Sequence, residues 1–343
     1  MAADTSATAT QGLDLDRLTP YLSQHLPLAG ALRAELIQGG RSNLTFILSD
    51  ATSEWVLRRP PLGHVLPSAH DMSREFRVLT ALESTDVPAP QPILLCADPD
   101  VIGAPFYLMS YVRGPVLRDA ADTESLSPAV AARCADALLD GLVTIAEADI
   151  TAFGDLGRPQ GYLDRQVARW KRQWELSATR ELPDIERLAA TLAAGVPASS
   201  GAGLVHGDYR LDNVILSAAD ENAAVAAVID WEMATLGDPV VDLGLLIVYW
   251  DPVTAAVTGT EHAVSANTGF PTTDELASGY AEATGADLTH LDFYVALGYF
   301  KLAVIAEGIH ARYLAGQTVG SGFDRVGSAV PLLAARGLAA LNT

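Results

Sequence analysis

At 343 residues, 49% hydrophobic and 19% charged, the chain can bury a full core and is expected to form one large domain or two lobes rather than a disordered polymer. Asp and Glu number 42 against 22 Lys and Arg, a formal charge of −20 that excludes the basic surface nucleic acid needs. The same acidity suits a cationic substrate or merely a solubilising surface.

Cys96 and Cys134 lie in apolar settings away from any CxxC or Cys/His spacing, and read as buried free thiols of a reducing compartment. No run reaches the roughly eighteen uninterrupted apolar residues of a membrane span. Leu291 to Ala306 is interrupted by Asp292 and Lys301 and reads as a core helix. The opening MAADTSATATQG has neither a basic n-region nor an apolar h-region. A cytoplasmic enzyme without a membrane partner is the expectation.

Residues 1–12 are small and polar and are expected to be flexible. Leu13 to Leu26 carries Leu15, Leu18 and Leu22 at helical spacing, with Pro27 ending it. QGGRSNLTF then reads as a turn between two strands. Gly39 and Gly40, followed by Ser42 and Asn43, could lay backbone N–H groups over phosphates, although a Gly-Gly hairpin serves equally as a plain turn. WVLR at 55–58 is a third strand stopped by Pro60-Pro61. Arg58 there, with Arg59 one register away, is the candidate cation for phosphates; a solvent-facing strand end is the alternative. The helix from Ser73 to Leu82 offers Glu75 as its carboxylate partner, or as a first-turn acid favoured by the helix dipole. Strands at 93–97 and 106–110 follow, and Gly114-Pro115 marks a linker. Backbone groups of this stretch, at Met109, Tyr111 and Val112, could read an adenine edge. The expected organisation is a nucleotide-binding lobe at 13–112, a hinge near 112, and a catalytic and acceptor-binding lobe at 113–343.

Ser127 N-caps a long helix running to about Asp149, and Tyr162 to Leu192 is again helical. The latter stretch, with Arg165, Arg169, Trp170, Arg172, Trp174 and Arg180, is either a basic aromatic pocket face or a solvated face over two core tryptophans. The richest stretch is Leu204 to Leu246. Asp208 follows a short strand and a glycine, and suits a base that accepts a hydroxyl proton. Asn213 comes five residues later, and Asp230 ends the second strand of the hairpin 214–216 and 225–229; both are hard oxygen donors of the kind Mg²⁺ prefers. His206 is expected to brace the Asp208 loop rather than do chemistry, and Asp238 and Asp242 read as turn and helix-cap residues that could also brace that loop. The Thr/Ala/Gly-rich segment 251–271 reads as a long loop, with helices near 273–284, 288–314 and 324–341 completing the chain.

HGDYRLDN followed by VIDWEMATLGDPVVDL resembles the aminoglycoside phosphotransferase family, kin of choline kinases and protein kinases. The chain is most similar to the branch that occurs as stand-alone bacterial proteins and as the kinase-like region joined to acyl-CoA dehydrogenases. The resemblance extends from Leu36 to the last helices. It implies an α+β, protein-kinase-like bilobal fold with a small β-rich N-lobe, a larger mainly helical C-lobe, and ATP in the cleft. By that match Asp208 is the catalytic base, Asn213 and Asp230 are Mg²⁺ ligands, and Glu75 is the ion-pair partner of the phosphate cation. The wider family has lysine where this chain has Arg58, and the two lysines, Lys171 and Lys301, both lie far downstream. The acceptor lobe would supply Trp250, Asp251, Tyr299 and His310 as lining residues. The implied activity is transfer of the γ-phosphate of ATP, or another nucleoside triphosphate, to a small-molecule hydroxyl on a hydroxyacyl compound or an aminoglycoside. A nucleotide-binding module without turnover is the contrasting reading.

Overall fold

The computed structural model describes residues 12–37, 43–62, 71–260, 263–318 and 322–342. The chain divides into two units, one of residues 1–84 and 89–112, the other of 85–88 and 113–343. Within the smaller unit, helix α1 (Leu15–Leu22) precedes strands β1 (Arg33–Leu36), β2 (Leu44–Ser49) and β3 (Glu54–Arg59). Helix α2 (Met72–Leu82) then leads to β4 (Pro92–Cys96) and β5 (Phe106–Ser110). The strands form one antiparallel sheet in the order β1-β2-β3-β5-β4. Leu18 and Leu22 pack with Phe46, Leu48, Leu57, Phe106 and Leu108 in a core beneath it. Helix α1 is shorter than its leucine spacing suggests. Pro20 lies inside it without an N–H to donate, and the chain turns away at Ser23. Of the expected flexible terminus only Gly12 is described; Gly39, Gly40 and Ser42 of the phosphate turn lie outside the described residues.

The larger unit begins with α3 (Ala120–Thr123), α4 (Pro128–Ala146), α5 (Tyr162–Ser177) and α6 (Pro183–Ala194). Four short strands follow, β6 (Gly203–Val205), β7 (Val214–Leu216), β8 (Val225–Val228) and β9 (Thr235–Gly237). They pair antiparallel as β6 with β9 and β7 with β8. Helices α7 (Val240–Trp250), α8 (Ala255–Thr258), α9 (Thr273–Thr284), α10 (Leu291–Leu314) and α11 (Val326–Ala340) complete the unit. Ser127 caps α4 by accepting from Val130 N at 3.3 Å. Helix α10 is long and apolar enough to cross a membrane, but its sides are covered by α5, α6, α7 and α11.

Two stretches differ from the sequence expectation. The helix read across 162–192 is broken before Pro183, which starts α6. The buried Glu307 of α10 holds the break by accepting from Thr179 N and Oγ1, at 2.9 and 2.6 Å, and from Arg180 at 3.1 Å. Segment 251–271 is no structureless loop. Its described residues hold α8 and two 3₁₀ turns, and Trp250 Nε1 donates to Pro271 O at 2.9 Å. On α5 the tryptophans Trp170 and Trp174 are buried while Arg165, Arg169 and Arg172 face solvent, so this is a solvated face over a core.

Candidate active site

Strand β6 delivers His206, Gly207 and Asp208 to a turn that the first turn of α7 clamps. Asp242, fully buried, accepts from His206 N through Oδ2 (2.6 Å) and from Gly207 N through Oδ1 (2.8 Å). Burial pushes the Asp242 carboxyl up, opposed by His206, the two backbone N–H groups and Lys301. Gly207 has φ +84°, and a Cβ there would stand 2.9 Å from Met233 O, so no side chain is tolerated without a shift. The His206 ring is fixed at both nitrogens: Nε2 donates to Ile229 O at 2.9 Å, and Nδ1 accepts from Asp208 N at 3.1 Å. That pattern puts the ring proton on Nε2. The bracing expected of His206 and open to Asp242 is thus present as hydrogen bonds, whereas Asp238 accepts instead from Ser199 and Ser200 at 2.8 and 2.6 Å and from Tyr294 at 2.8 Å.

The Asp208 carboxylate is held on both oxygens. The Tyr249 hydroxyl donates to Oδ1 at 2.6 Å, and Asn213 Nδ2 donates to Oδ2 at 3.0 Å and to Asp208 O at 2.8 Å. Arg210 Nε lies 3.6 Å from the same Oδ2, while its Nη2 pairs with Asp212 at 2.7 Å. The Arg210 guanidinium also stacks 4.8 Å over the Tyr249 ring. Burial and the Asp208 charge push the Tyr249 hydroxyl well up, so it remains a donor. Burial also pushes the Asp212 carboxyl up to about 6, with Arg210 opposing and Asp208 adding. Asp208 keeps 24% of its side chain exposed, enough for a small molecule to reach a carboxylate whose direction is already set.

Asp230 follows β8 in a left-handed conformation, φ 67° and ψ 58°, the only non-glycine residue with positive φ among those described. Such a conformation costs on the order of 1 kcal/mol or more for a non-glycine residue, and aspartate tolerates it better than most. The strain is held by Ile229, whose N donates to Asn213 O at 2.9 Å and whose O accepts from His206. The β7–β8 hairpin and the His206 ring thereby tie the Asn213 and Asp230 backbones to the Asp208 loop. Asn213 spends its amide N–H₂ on Asp208, which leaves its amide oxygen as the face for a cation. Among the described residues no three His, Cys, Asp or Glu side chains group as an all-protein metal cage. One amide oxygen and one carboxylate are instead the sparse hard-donor set that Mg²⁺ accepts when waters and phosphates complete its shell.

In the smaller unit, Arg58 of β3 is buried with its Nε 3.2 Å from Oε2 of the buried Glu75 on α2. Strand alternation sends Arg59 to the other face, where Nη1 donates to Gly12 O at 2.6 Å and Ile102 O at 3.2 Å. Asn43 is buried at the start of β2. Met109 is buried in β5 opposite Val56, and Tyr111 and Val112 follow the strand half-buried.

Among the acceptor candidates, Trp250 lines a pocket with Arg210, Asp212, Tyr249 and Arg118. Asp251 and Tyr299 instead bond to each other at 2.8 Å, with Arg336 3.0 Å from Asp251, and so join the end of α7 to α10 and α11. His310 packs against Gly327 of α11. Tyr249 and Arg210 had no role in the sequence reading. Arg210 lies inside the recognised motif and could have been found there; Tyr249, 41 residues from Asp208, left no signal.

A sheet unit with a buried Arg–Glu pair, and a mainly helical unit that brings Asp208 beside a hairpin flanked by Asn213 and Asp230, have the parts of a protein-kinase-like phosphotransferase fold. A model of the phosphotransferase enzyme family matches residues 33–294, and the chain belongs to that family. Acyl-CoA dehydrogenase family member 11 of Rattus norvegicus is 37% identical over 336 residues, covering 95% of this chain and 43% of that protein. The chain thus spans less than half the length of that curated relative. A solved candidate aminoglycoside phosphotransferase from Ralstonia eutropha is 32% identical with TM-score 0.79, covering 96% of this chain and 98% of that one. Aminoglycoside phosphotransferase APH(4)-Ia, solved as a thermostable mutant with AMP-PNP and hygromycin B, shares the fold at TM-score 0.61 and 15% identity, over 96% of this chain and 97% of that one.

Proposed function

We propose that this phosphotransferase moves the γ-phosphate of ATP to a hydroxyl of a small molecule, with Asp208 taking the hydroxyl proton as the oxygen–phosphorus bond forms and ADP departs. Arg58, held by Glu75, would pair with nucleotide phosphates, together with backbone of the turn containing Gly39 and Gly40. Met109, Tyr111 and Val112 would flank the base. Asn213 and Asp230 would hold Mg²⁺, which supplies charge neutralisation to the phosphates when bound.

The observation that carries the reading is the Asp208 carboxylate itself, gripped by Tyr249 and Arg210, two residues that also line the pocket beside it. That lining also bears on the acceptor. It holds two arginines against one carboxylate, Asp212, which is already paired with Arg210. Leu117, Leu211 and Ala263 add apolar surface. A polycationic aminoglycoside would want several unpaired carboxylates, whereas a hydroxyacyl compound with an acidic or neutral end suits this lining. The similarity to a family of acyl-CoA dehydrogenases supports the same choice. We place the activity in the cytoplasm.

The test is a transfer screen with radiolabelled ATP and Mg²⁺ over short hydroxy acids, their CoA esters and aminoglycosides. Transfer to a hydroxyacyl compound is expected, and Asp208→Asn should lower it by about 10²–10⁴-fold with ATP affinity nearly intact. Transfer to aminoglycosides alone would overturn the acceptor class. Full activity in Asp208→Asn would overturn the base assignment, and nucleotide binding without any transfer would leave a binding module.

A further inference from the structure

We propose that Lys301 is a positioning residue of the transfer reaction, its ammonium setting the plane of the peptide unit that carries Asp208. The proposal rests on the reading of Asp208 as the proton acceptor. Lys301 sits on α10, a core helix whose other buried charged residue, Glu307, is taken up by Thr179 and Arg180, and only 7% of the Lys301 surface is exposed. A buried ammonium is expensive unless something in its surroundings uses the charge, and methionine or leucine would fill this place at lower cost. Its Nζ donates to Gly207 O. It also lies 5.6 Å over the Trp170 ring; burial pushes its ammonium pKa down, with the carboxylates of Asp208 and Asp242 opposing and Arg169 adding.

Gly207 O and Asp208 N belong to one planar peptide unit. Lys301 holds the carbonyl end of that unit, and His206 Nδ1 accepts from its N–H end at 3.1 Å. The preceding peptide unit is held by Asp242 on Gly207 N at 2.8 Å. Gly207 itself supplies no side chain to resist rotation, and its positive φ is a conformation glycine leaves readily. Rotation of that unit swings the Cα–Cβ bond of Asp208 away from the direction that Tyr249 and Asn213 share. Lys301 is the clamp on the carbonyl side, supplied from 94 residues away in sequence. Misplacement of a catalytic group by an ångström is enough to cost about a hundredfold in rate.

Lys301 also borders a pocket lined by Gln166, Arg169, Met233 and Thr235, through which a small amine could reach its place. The experiment uses the full chain as Lys301→Met and Lys301→Ala, beside the parent and Asp208→Asn. Mg²⁺–ATP hydrolysis, with water as acceptor, reads the rate, and hydrogen exchange of the Gly207 and Asp208 amides reads the loop. Lys301→Met should lower kcat at least tenfold with KM for ATP unchanged, and should speed exchange of the Asp208 amide about tenfold without spreading to α10. Ethylammonium should restore part of the Lys301→Ala rate, and tetramethylammonium, which has no N–H to donate, should not. Parental exchange at Asp208 in Lys301→Met overturns the proposal whether or not nucleotide is turned over, as does equal rescue by both amines. A parental hydrolysis rate in Asp208→Asn instead overturns the assignment of Asp208 beneath it.

Discussion

At Asp208, four side chains, two from the same loop and two from α7, agree on where one carboxylate points. Tyr249 and Asn213 take its two oxygens, His206 takes its amide, and Asp242 takes the amide before it. Asp242 has the least replaceable part, because a carboxylate accepts two backbone N–H groups where an amide accepts one and turns its own N–H₂ toward the other. Asp242→Asn should therefore strand one buried N–H and destabilise the protein by about 1–3 kcal/mol, read from denaturant midpoints. The activity of whatever remains folded should fall as well, since the loop loses one of its ties. Unchanged stability would mean that the amide finds the same two bonds by rotation. The Asp208, Asn213 and Asp230 trio was legible in the sequence because the motif is local and its spacing short. Tyr249 was not, because a tyrosine in an apolar helix carries no pattern that separates a core residue from a carboxylate's partner.

Individual elements show what propensity and periodicity can and cannot say. The β7–β8 hairpin, the long helix capped by Ser127 and the antiparallel strands of the smaller unit were readable, because alternation, caps and turn residues act over a few positions. The break between α5 and α6 was not readable in full. Pro183 signals a helix start, but the carboxylate that stabilises the break comes from Glu307 on another helix. The crossing of α7 and α10 is a second case. At Gly244 a Cβ would stand 2.7 Å from the Tyr294 backbone, so the helices approach only because glycine is there. Gly244→Leu should force the two apart and cost roughly 1–3 kcal/mol or more from overpacking, despite leucine's better helix propensity. A thermal melt at or above the parental Tm would contradict this close approach. The Asp242 and Lys301 clamps ride on these same two helices, so the variant should also lose activity in its folded fraction.

For the molecule as a whole, the charge of −20 sets a background that no single pair removes. Repulsion among like charges destabilises the compact state and is screened by salt. Raising NaCl from about 10 to about 150 mM, which shortens the screening length from roughly 30 to 8 Å, should therefore raise Tm by about 2 °C or more. A falling Tm would show that attractive pairs such as Arg210–Asp212 outweigh the net charge. Division of the chain into a sheet unit and a mainly helical unit follows from where strands cluster and where helices cluster along the sequence.

By itself the sequence determined the family and the two kinds of unit, and it singled out Asp208, Asn213 and Asp230 as candidates, because each is written in short runs whose chemistry depends on neighbours within a few residues. It favoured Arg58 by alternation with Arg59 as the fallback, and the structure separates them, placing the first on Glu75 at 3.2 Å and the second on backbone carbonyls of the opposite face. Only the tertiary structure decided what holds those residues still. Tyr249, Asp242 and Lys301 acquire their meaning from bonds across 36 to 94 positions of chain. A hydrogen bond or ion pair depends on distance in space, and once the chain has folded back on itself, distance in space has no fixed relation to distance in sequence.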